Sequence, residues 1–430
     1  MKIQALRGFK DWLPDDFRNY HYLCEVARKI LDLYGFEEVK IPILEKTELF
    51  IRSIGETTDI VQKETYTFLD RNKESVTLRP EATAGICRMI IEKGVYAKQK
   101  PIRFFTIGPM FRHERPQKGR LREFYQVSAE YFGEINPFVE AELISLCLHI
   151  LKTPEKDFGN YFYPLKLEIN SLGCRGCRPG YREYLISALE KRKEKLCKTC
   201  QERLQKNPLR ILDCKEEVCK ETVSHLKTID NFWCQACREH FSELTRRINS
   251  LGIDFIHNPY LVRGLDYYVR TIFEIKAQGL GAQDTVCAGG RYDYLVEELG
   301  GPSLPGIGFA IGVERWGLVV FGEERTVAAV NPLVFIAPLN DEANTHALRL
   351  SHELRLKGIK TIVSFEQKSL KAKLRSADKL KVKYVLILGD DELSQNRVCV
   401  KDMETGKQDL FPLDDVSSLI EKITSELGKE

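Results

Sequence analysis

Two long strand-like segments, joined by a charged loop, dominate the first third of the sequence. The segment PIRFFTIGPMFRHE begins at Pro101, the segment REFYQVSAEYFG ends at Gly133, and the loop runs from Arg115 to Arg122. Strands joined by so short a connection pair antiparallel, because a parallel pair needs a crossover of about a dozen residues or more. The sequence therefore predicts an antiparallel sheet built around this hairpin.

Shorter elements surround the hairpin. Apolar residues recur with the helical period from Phe17 to Leu33, which predicts an amphipathic helix that Gly35 ends. FEEVKIPIL is typical of a strand, but its Pro42 lacks an N–H, so we expect it at a sheet edge or a bend. Strand patterns also cover YTFLD, SVTLRPE, LVRGLDYYVRTIFEI and TVCAGGRYDYLVEEL, and AGICRMIIEKG is typical of a helix.

The length of the chain requires more than one domain. A single core usually stops growing near ~250–300 residues, and this chain has 430. Between residues 171 and 252 the strand pattern gives way to a helical segment rich in Cys, Lys and Glu. The sequence thus predicts an α+β protein, with an antiparallel sheet domain over 1–325 that this insertion interrupts. Strand and helix then alternate over 331–430, which predicts a partly parallel α/β domain.

Composition excludes some functions and leaves others open. No apolar run approaches the ~18–20 residues of a membrane span, and the N-terminus lacks a secretory signal, so we expect a cytoplasmic protein. The 65 basic and 62 acidic residues nearly cancel, so RNA binding has to be argued locally. The stretch KSLKAKLRSADKLKVK fits either an RNA-facing helix or a solvated one.

The hairpin loop concentrates positive charge. Six cationic side chains stand within eleven residues: Arg112, His113, Arg115, Lys118, Arg120 and Arg122. Arginine presents a fork of donors suited to phosphate, whereas the alternative is a solvated basic turn. Phe111 and Phe124 flank the loop and offer faces on which adenine could stack. Gln126 and Glu130, four apart on one strand, share a face of the sheet.

Four further clusters of candidate site residues lie outside the hairpin. TLRPEATAGI puts Glu81 and Thr83 at a helix start, where capping is the alternative role. VRGLDYYVRTIFE sets Arg263 beside a glycine and predicts that Asp266, Tyr267 and Tyr268 form a turn ahead of an alternating strand. CAGGRYDYL and GIGFAIGVER, which ends in Arg315, are glycine-rich, a feature that by itself more often marks tight packing than nucleotide contact.

Taken together and in this order, the five clusters resemble the histidyl-tRNA synthetase family of class II aminoacyl-tRNA synthetases. GFEEVKIPILEKTELF resembles the first class II motif, which forms the dimer interface in the family; PMFRHERPQKGRLREFYQ resembles the second and GIGFAIGVER the third. LVRGLDYY and CAGGRYD resemble the two signatures of the histidine-specific member. The resemblance extends from about Leu6 to near the C-terminus.

The resemblance implies a ligase that activates histidine with ATP and Mg²⁺ and transfers it to tRNA(His). It implies a homodimer, an anticodon-binding C-terminal domain, and no DNA or membrane partner. The implied catalytic residues are Arg112 and Arg263 on the α-phosphate. The implied ATP-binding residues are Arg112, Glu114, Phe124 and Arg315, and the implied histidine-binding residues are Glu81, Thr83, Gln126, Glu130, Tyr267, Tyr268 and Tyr292.

Two other interpretations carry different functions. A non-catalytic regulatory subunit of ATP phosphoribosyltransferase shares this fold, but such relatives generally lack the C-terminal domain and have degraded site motifs. A class II synthetase for threonine or proline would not be expected to carry LVRGLDYY and CAGGRYD. The retained Arg112, Glu130, Arg263, Tyr268 and Arg315 favour the histidine ligase.

The insertion carries eight cysteines in four pairs, three of them CxxC: Cys174 and Cys177, Cys197 and Cys200, Cys214 and Cys219, Cys234 and Cys237. This spacing suits two four-thiolate sites for structural zinc, and the alternative is eight reduced thiols without metal. If 181–196 is one helix, its ends lie ~24 Å apart and the first two pairs cannot share an ion. Each would then pair with one of the last two. Any zinc is expected to lie away from the chemistry.

Overall fold

The computed structural model describes residues 3–55, 58, 60–161, 163–281, 284–322, 325–414 and 417–424. They form two compact units, Met1–Val327 and Ala328–Glu430, each considered by itself. The strands of the first unit are β1 (Glu37–Glu38), β2 (Leu44–Lys46), β3 (Tyr66–Leu69), β4 (Ser75–Leu78), β5 (Ile102–Phe111), β6 (Glu123–Phe132), β7 (Leu165–Ser171), β8 (Ile256–His257), β9 (Val269–Ala277), β10 (Thr285–Arg291) and β11 (Gly306–Gly312).

The α-helices of the first unit are α1 (Pro14–Leu33), α2 (Thr47–Ile54), α3 (Thr83–Glu92), α4 (Pro137–Lys152), α5 (Glu155–Phe158), α6 (Arg178–Glu190), α7 (Lys198–Lys206), α8 (Glu217–Ser224), α9 (Gln235–Ser250), α10 (Leu295–Glu298) and α11 (Val313–Phe321). The second unit contains β12 (Val334–Pro338), α12 (Asp341–Leu356), β13 (Thr361–Val363), α13 (Leu370–Lys379), β14 (Tyr384–Leu388), α14 (Asp390–Ser394), β15 (Arg397–Asp402), β16 (Gln408–Pro412) and α15 (Ser417–Thr424).

An eight-stranded sheet organises the first unit, in the order β1-β5-β6-β11-β10-β9-β7-β8. Its six inner strands pair antiparallel, and only the short edge strands β1 and β8 run parallel to their neighbours. Strands β5 and β6 pair along their whole length, from Ile102 opposite Phe132 to Phe111 opposite Glu123. The predicted hairpin is confirmed, and it holds both ends of the cationic loop on adjacent strands.

The two faces of this sheet differ in chemistry because side chains alternate along a strand. On β6, Val127 and Ala129 are fully buried in the core that α1, α4 and α11 share. Trp316 of α11, also fully buried, donates its indole N–H to the carbonyl of Leu151 in α4 at 3.3 Å. Apolar helices thus pack on one face of the sheet, and the polar residues at alternating positions lie on the other face.

Two of the predicted strands are shorter than the sequence pattern indicated. The segment around Pro42 is not one strand: β1 joins the large sheet as an edge, and β2 belongs to a separate sheet of order β2-β4-β3. Pro42, which cannot donate to a ladder, lies between them, as its position at an edge or bend predicted. The strand pattern LVRGLDYYVRTIFEI is also strand over only part of its length: Asp266 and Tyr267 form the predicted turn, and β9 begins at Val269. The backbone N–H of Asp266 instead donates to the carbonyl of Ile54 at 3.1 Å.

Helices α6 to α9 lie in the cysteine-rich segment between β7 and β8. Residues 181–196 are not the single helix considered from the sequence, since α6 ends at Glu190 and a 3₁₀ turn follows at Lys193–Lys195. In the second unit, β13, β12 and β14 are parallel and β15 and β16 continue antiparallel, which is the partly parallel sheet that the alternation predicted. Among the described residues, no helix has the length and apolar character that crossing a membrane requires.

Candidate active site

A cavity of about 940 Å³ lies against the polar face of the large sheet. Its floor is made by alternate residues of four adjacent strands: Gln126 and Ser128, Gly308 and Ala310, Val286 and Ala288, Glu274 and Lys276. Its walls come from the cationic loop, from the segments around Glu81 and Arg263, from the start of α11, and from the insertion. Residues from all five clusters that the sequence singled out therefore line one cavity. From CAGGRYDYL these are only Cys287 and Ala288.

Five arginines line this space, and three of them, Arg112, Arg263 and Arg315, are the predicted phosphate ligands. Arg112 follows β5, donates from Nε to the carbonyl of Pro80 at 3.0 Å, and lies 5.3 Å from the ring centre of Phe124. Burial, and secondarily the positive charge of Arg263, lower the pKa of Arg112. Burial, together with the charges of Arg120 and Arg112, lowers the pKa of Arg315 to about 10. Such mutual repulsion of buried cations is relieved by a bound polyanion.

Two of these arginines are fixed by partners distant in sequence. Arg263 forms an ion pair with Glu274 on β9, whose other oxygen accepts from the Thr285 hydroxyl at 3.0 Å. Arg315 donates to the carbonyl of Gly119 in the cationic loop and to that of Thr285, both at 2.8 Å. Because these contacts join the loop, β9 and α11, the cationic groups are held in place before any ligand binds.

A buried hydroxyl–carboxylate network lies beside the cavity. The Thr83 hydroxyl donates to Glu130 at 2.6 Å, and the Tyr292 hydroxyl donates to the other oxygen of Glu130. Burial raises the pKa of Glu130 to about 8. Gly308 faces this carboxyl across the strand pair, and a Cβ there would lie 1.7 Å from it, so glycine is required at that position.

Glu81 lies two residues before α3 and caps its N-terminus. Its carboxylate accepts from the backbone N–H groups of Thr83 at 2.7 Å and Ala84 at 2.9 Å, which is the capping alternative that the sequence left open. The same side chain lines the cavity, so the two roles coexist. Burial raises the pKa of Glu81 despite these bonds.

The two tyrosines of LDYY lie in the loop that directly precedes β9. Tyr267 and Tyr268 pack with ring centres 4.7 Å apart, and both line the cavity. Arg178 of α6 donates to the carbonyl of Tyr268 at 2.8 Å, and the Asn207 amide donates to Asp266 at 2.9 Å. The insertion therefore helps to hold the loop that carries these tyrosines.

Most of the predicted substrate residues line the cavity itself. They are Glu81, Thr83, Arg112, Glu114, Phe124, Gln126, Arg263, Tyr267, Tyr268 and Arg315. Glu130 and Tyr292 lie behind the lining, where Glu130 bonds to Thr83. Glu114 is ion-paired with Arg120 of the same loop.

The family models match the chain in two consecutive regions. A model described as histidyl-tRNA synthetase matches residues 8–316, and one described as anticodon binding domain matches residues 333–423. The chain belongs to the histidyl-tRNA synthetase family. The predicted family and its class II fold, with a C-terminal anticodon-binding domain, are thereby confirmed.

Similar proteins of the family match over nearly their whole length. A histidine–tRNA ligase of Syntrophotalea carbinolica is 44% identical over 98% of this chain and 99% of its own, and one of Aquifex aeolicus is 47% identical over 95% and 98%. The crystal structure of apo histidyl-tRNA synthetase from S. aureus superposes with a TM-score of 0.79 at 34% identity, covering 98% of this chain and all of the other. The predicted enzyme class, a histidine–tRNA ligase, agrees with these relatives.

The regulatory-subunit alternative receives less support. A structure from Bacillus halodurans C, described as an ATP phosphoribosyltransferase regulatory subunit/histidyl-tRNA synthetase, superposes with a TM-score of 0.63 at 19% identity, over 90% of this chain and 98% of the other. At that identity the likeness shows the fold alone. A structure described as the RNA binding domain of threonyl-tRNA synthetase from Cryptosporidium parvum Iowa II likewise shares the fold, with a TM-score of 0.55 at 19% identity over 97% and 92% of the two chains.

Sequence reasoning missed several residues that line the cavity. Glu274 and Lys276 are polar at alternate positions of an otherwise apolar strand, a signal that was present in TIFEIKA. Glu314 precedes the predicted Arg315, and its carboxylate accepts from the backbone N–H of Tyr125 at 2.9 and 3.1 Å; burial raises its pKa to about 7. The contribution of Cys197 and its neighbours in the insertion had no local signal at all.

Proposed function

We propose that the chain charges tRNA(His) in two steps. The carboxylate of L-histidine attacks the α-phosphorus of ATP, the bond to the bridging oxygen breaks, and pyrophosphate leaves with the bond's electron pair. The 3′-terminal hydroxyl of tRNA then attacks the carbonyl of the adenylate and AMP leaves. The observation that carries the proposal is the cluster of Arg112, Arg263 and Arg315 in one partly buried cavity, where a polyphosphate would neutralise all three.

The ATP subsite is assigned to the walls formed by the second and third class II motifs. Arg112 and Arg263 would neutralise the α-phosphate from two sides, and Arg315 would meet the γ-phosphate. Phe124 would stack near the adenine, using the ring face that Arg112 does not cover. No nucleophilic side chain is required, because alignment and charge neutralisation supply the acceleration.

Magnesium would accompany the nucleotide. Mg²⁺ is usually held by one or two carboxylates together with substrate phosphates. Glu114 and Glu314 line the cavity and are oxygen donors of this kind, so the residues fit the ion. Bound there, it would offset charge on the departing pyrophosphate.

The histidine subsite is assigned to the opposite end of the same cluster. Glu81, Thr83 and Gln126 would bind the α-amino group; the side-chain oxygen of Gln126 is buried and has no partner among the described residues. Glu130 and Tyr268 would bond to the two imidazole nitrogens, while Tyr267 and Tyr292 close the site. A site built to pair both nitrogens rejects amino acids that cannot, by ~10⁴-fold or more.

The domain roles extend this assignment. Residues 1–325 would be the catalytic domain, the insertion at 171–252 would contact tRNA, and residues 331–430 would bind the anticodon. On α13, Lys371, Arg375 and Lys379 are exposed at four-residue intervals and form one basic stripe. Lys373 of the same helix is buried and donates to the carbonyls of Pro338 and Ser364, so it supports the fold and is not available to RNA.

The homodimer is proposed through the first class II motif. Residues opposite each other in a sheet share a face, and one face of the small sheet β2-β4-β3 carries Leu44, Lys46, Tyr66, Phe68, Val76 and Leu78. Leu44 and Phe68, on the two outer strands of this largely apolar face, are 45% and 47% exposed, and exposed apolar faces often mark protein interfaces. A second copy of the chain would cover them.

The deciding experiment is exchange of labelled pyrophosphate into ATP, run with each of the twenty amino acids and Mg²⁺. Exchange with histidine alone is expected, and charging of tRNA(His) should follow with the same preparation. Absence of exchange with every amino acid, in a preparation whose circular dichroism indicates a folded chain, would favour the regulatory-subunit alternative. Exchange with threonine or proline would contradict the assigned histidine subsite.

A further inference from the structure

The eight insertion cysteines form two separate groups in the described part of the chain: Cys174, Cys177, Cys234 and Cys237, and Cys197, Cys200, Cys214 and Cys219. We call them the base cluster and the wall cluster. Within each group, the four sulfurs all lie within 4.8 Å of one another. The sequence left the pairing open, and this geometry gives one pairing.

The sulfur separations fit a single four-coordinate ion. Cys174 and Cys177 sulfurs lie 3.6 Å apart, those of Cys177 and Cys237 3.8 Å, and those of Cys197 and Cys214 3.9 Å. A tetrahedron with Zn–S bonds of ~2.3 Å has edges of ~3.8 Å. All thirteen cysteines are free thiols, so the short separations are not those of disulfides.

Backbone donors converge on the same sulfurs. The N–H of Cys234 donates to the sulfur of Cys177, and the N–H of Cys197 to the sulfur of Cys219, both at 3.2 Å. Cys234 and Cys197 immediately precede α9 and α7, so the second cysteine of each CxxC stands in a first helical turn. Amide donors around a sulfur stabilise the thiolate, the form that binds metal. Four uncharged thiols filling a core would gain little from this arrangement.

We propose that each cluster binds one structural Zn²⁺ and that the two ions stabilise different parts of the molecule. The base cluster joins the chain just after β7 to the start of α9. Cys174 lies three residues after the end of β7 at Ser171. The carbonyl of Ser171 accepts a hydrogen bond from the indole of Trp233 at 3.1 Å, and Trp233 directly precedes Cys234. An ion here joins residues that are 57 apart in sequence, such as Cys177 and Cys234.

The wall cluster belongs to the catalytic cavity, contrary to the expectation that any zinc would lie away from it. Cys197 and Cys214 line the cavity that holds Arg112 and Arg263. The helices beside them, α7 and α8, have only nine and eight residues. Helices this short are marginal without tertiary support. An ion in this cluster therefore holds the wall opposite the sheet, from which Asn207 reaches the LDYY loop.

Metal content tests the sites without reference to activity. The full chain, purified without added metal and dialysed, should contain about two zinc ions by inductively coupled plasma mass spectrometry, one for each cluster. C174S/C177S and C197S/C200S should each retain one ion, and the control C399S, a buried cysteine of the second unit, should retain two. Absence of zinc from the wild-type chain, iron in its place, or loss of both ions from either folded double variant would overturn the proposal.

A second measurement tests the pairing even if a double variant does not fold. The wild-type chain is treated with increasing chelator, alkylated and mapped by peptide mass spectrometry. The four cysteines of each cluster should become reactive together. Joint release of a mixed set, such as Cys177 with Cys197, would overturn the assigned pairing.

The division of roles rests on the proposed function and is tested last. C197S/C200S should lower kcat/KM for histidine-dependent exchange by roughly tenfold or more, because the cavity wall is displaced, with little change in Tm. C174S/C177S should mainly lower Tm. The reverse pattern would overturn the assigned roles. If the wild-type chain shows no exchange at all, the zinc counts still decide whether the sites exist.

Discussion

Replacing Arg263 with alanine tests the proposed chemistry most directly. Its guanidinium lines the cavity and is held by Glu274, so the charge is positioned before ATP binds. Loss of one preorganised group aimed at developing charge typically lowers kcat by ~10²- to 10³-fold, equivalent to ~2.7–4 kcal/mol. We expect histidine-dependent pyrophosphate exchange in Arg263→Ala to fall by about this factor.

The same change should cost little stability. Glu274 would keep the Thr285 hydroxyl at 3.0 Å and the Lys276 ammonium at 3.8 Å, so its carboxylate is not left without partners. The expected loss is ~1–3 kcal/mol, or a few degrees in Tm. Arg263→Ala should therefore lose most of its exchange activity while it stays folded. A residue that merely supported the fold would lose activity only as the protein unfolds.

A control comes from an arginine of the large sheet. Arg103 of β5 pairs with Glu142 at 3.1 Å and its side chain is 26% exposed, against 21% for Arg263, but it does not line the cavity. Arg103→Ala should lose an ion pair, although one whose carboxylate is more exposed than Glu274, and keep its exchange activity. Near-normal exchange in folded Arg263→Ala, or an equal loss in Arg103→Ala, would refute the assigned role.

Three further predictions concern neighbouring features. Gly308→Ala should raise KM for histidine and cost ~1–3 kcal/mol of stability, because its Cβ would lie 1.7 Å from the Glu130 carboxyl; Gly317→Ala, outside the cavity lining and with a Cβ that meets nothing closer than 3.7 Å, is the control for kinetics and Tm. Because burial raises the pKa of Glu130 from 4.5 to about 8, its folded form retains a proton that the unfolded chain loses, so stability falls as pH rises through this interval. Glu130→Gln should flatten that part of a Tm-against-pH curve, and parallel curves would contradict the assignment. Phe68→Asp should dissociate the dimer in sedimentation velocity, whereas Leu356→Asp, also exposed, should not; a dimeric Phe68→Asp would exclude this interface.

The parts of the fold that the sequence predicted are those with a strong local period. The apolar stripe of α1, including Leu23, Ala27 and Leu31, is buried as expected, and β5 and β6 form the expected hairpin. The turn before Val269 was predicted, but the contacts that hold it depend on distant partners. Asp266 is held by Ile54 and by Asn207 of the insertion, and neither contact leaves a trace in the local pattern.

The candidate site likewise could be predicted only in part from the sequence. The family motifs supplied residue types such as Arg263 and Glu130, but not their partners, because each partner lies on another element. Glu274 is 11 residues from Arg263, and Thr83 is 47 residues from Glu130. Likewise, cysteine spacing indicated metal ligation but not the pairing, which depends on how α6 ends and turns.

The contacts of Glu130 also bear on how histidine would be selected. Both its oxygens already have hydroxyl partners, Thr83 and Tyr292, so no unpaired carboxylate waits for the substrate. Each carboxylate oxygen can accept a second bond, so the oxygen that accepts from Thr83, the partner that lines the cavity, would also accept from an imidazole N–H. An apolar side chain would exclude water from that acceptor without supplying a donor, at a cost of ~1–3 kcal/mol. Selectivity would then come from this additional hydrogen bond, and because Thr83 orients the carboxyl, Thr83→Val should weaken discrimination more than it weakens histidine binding.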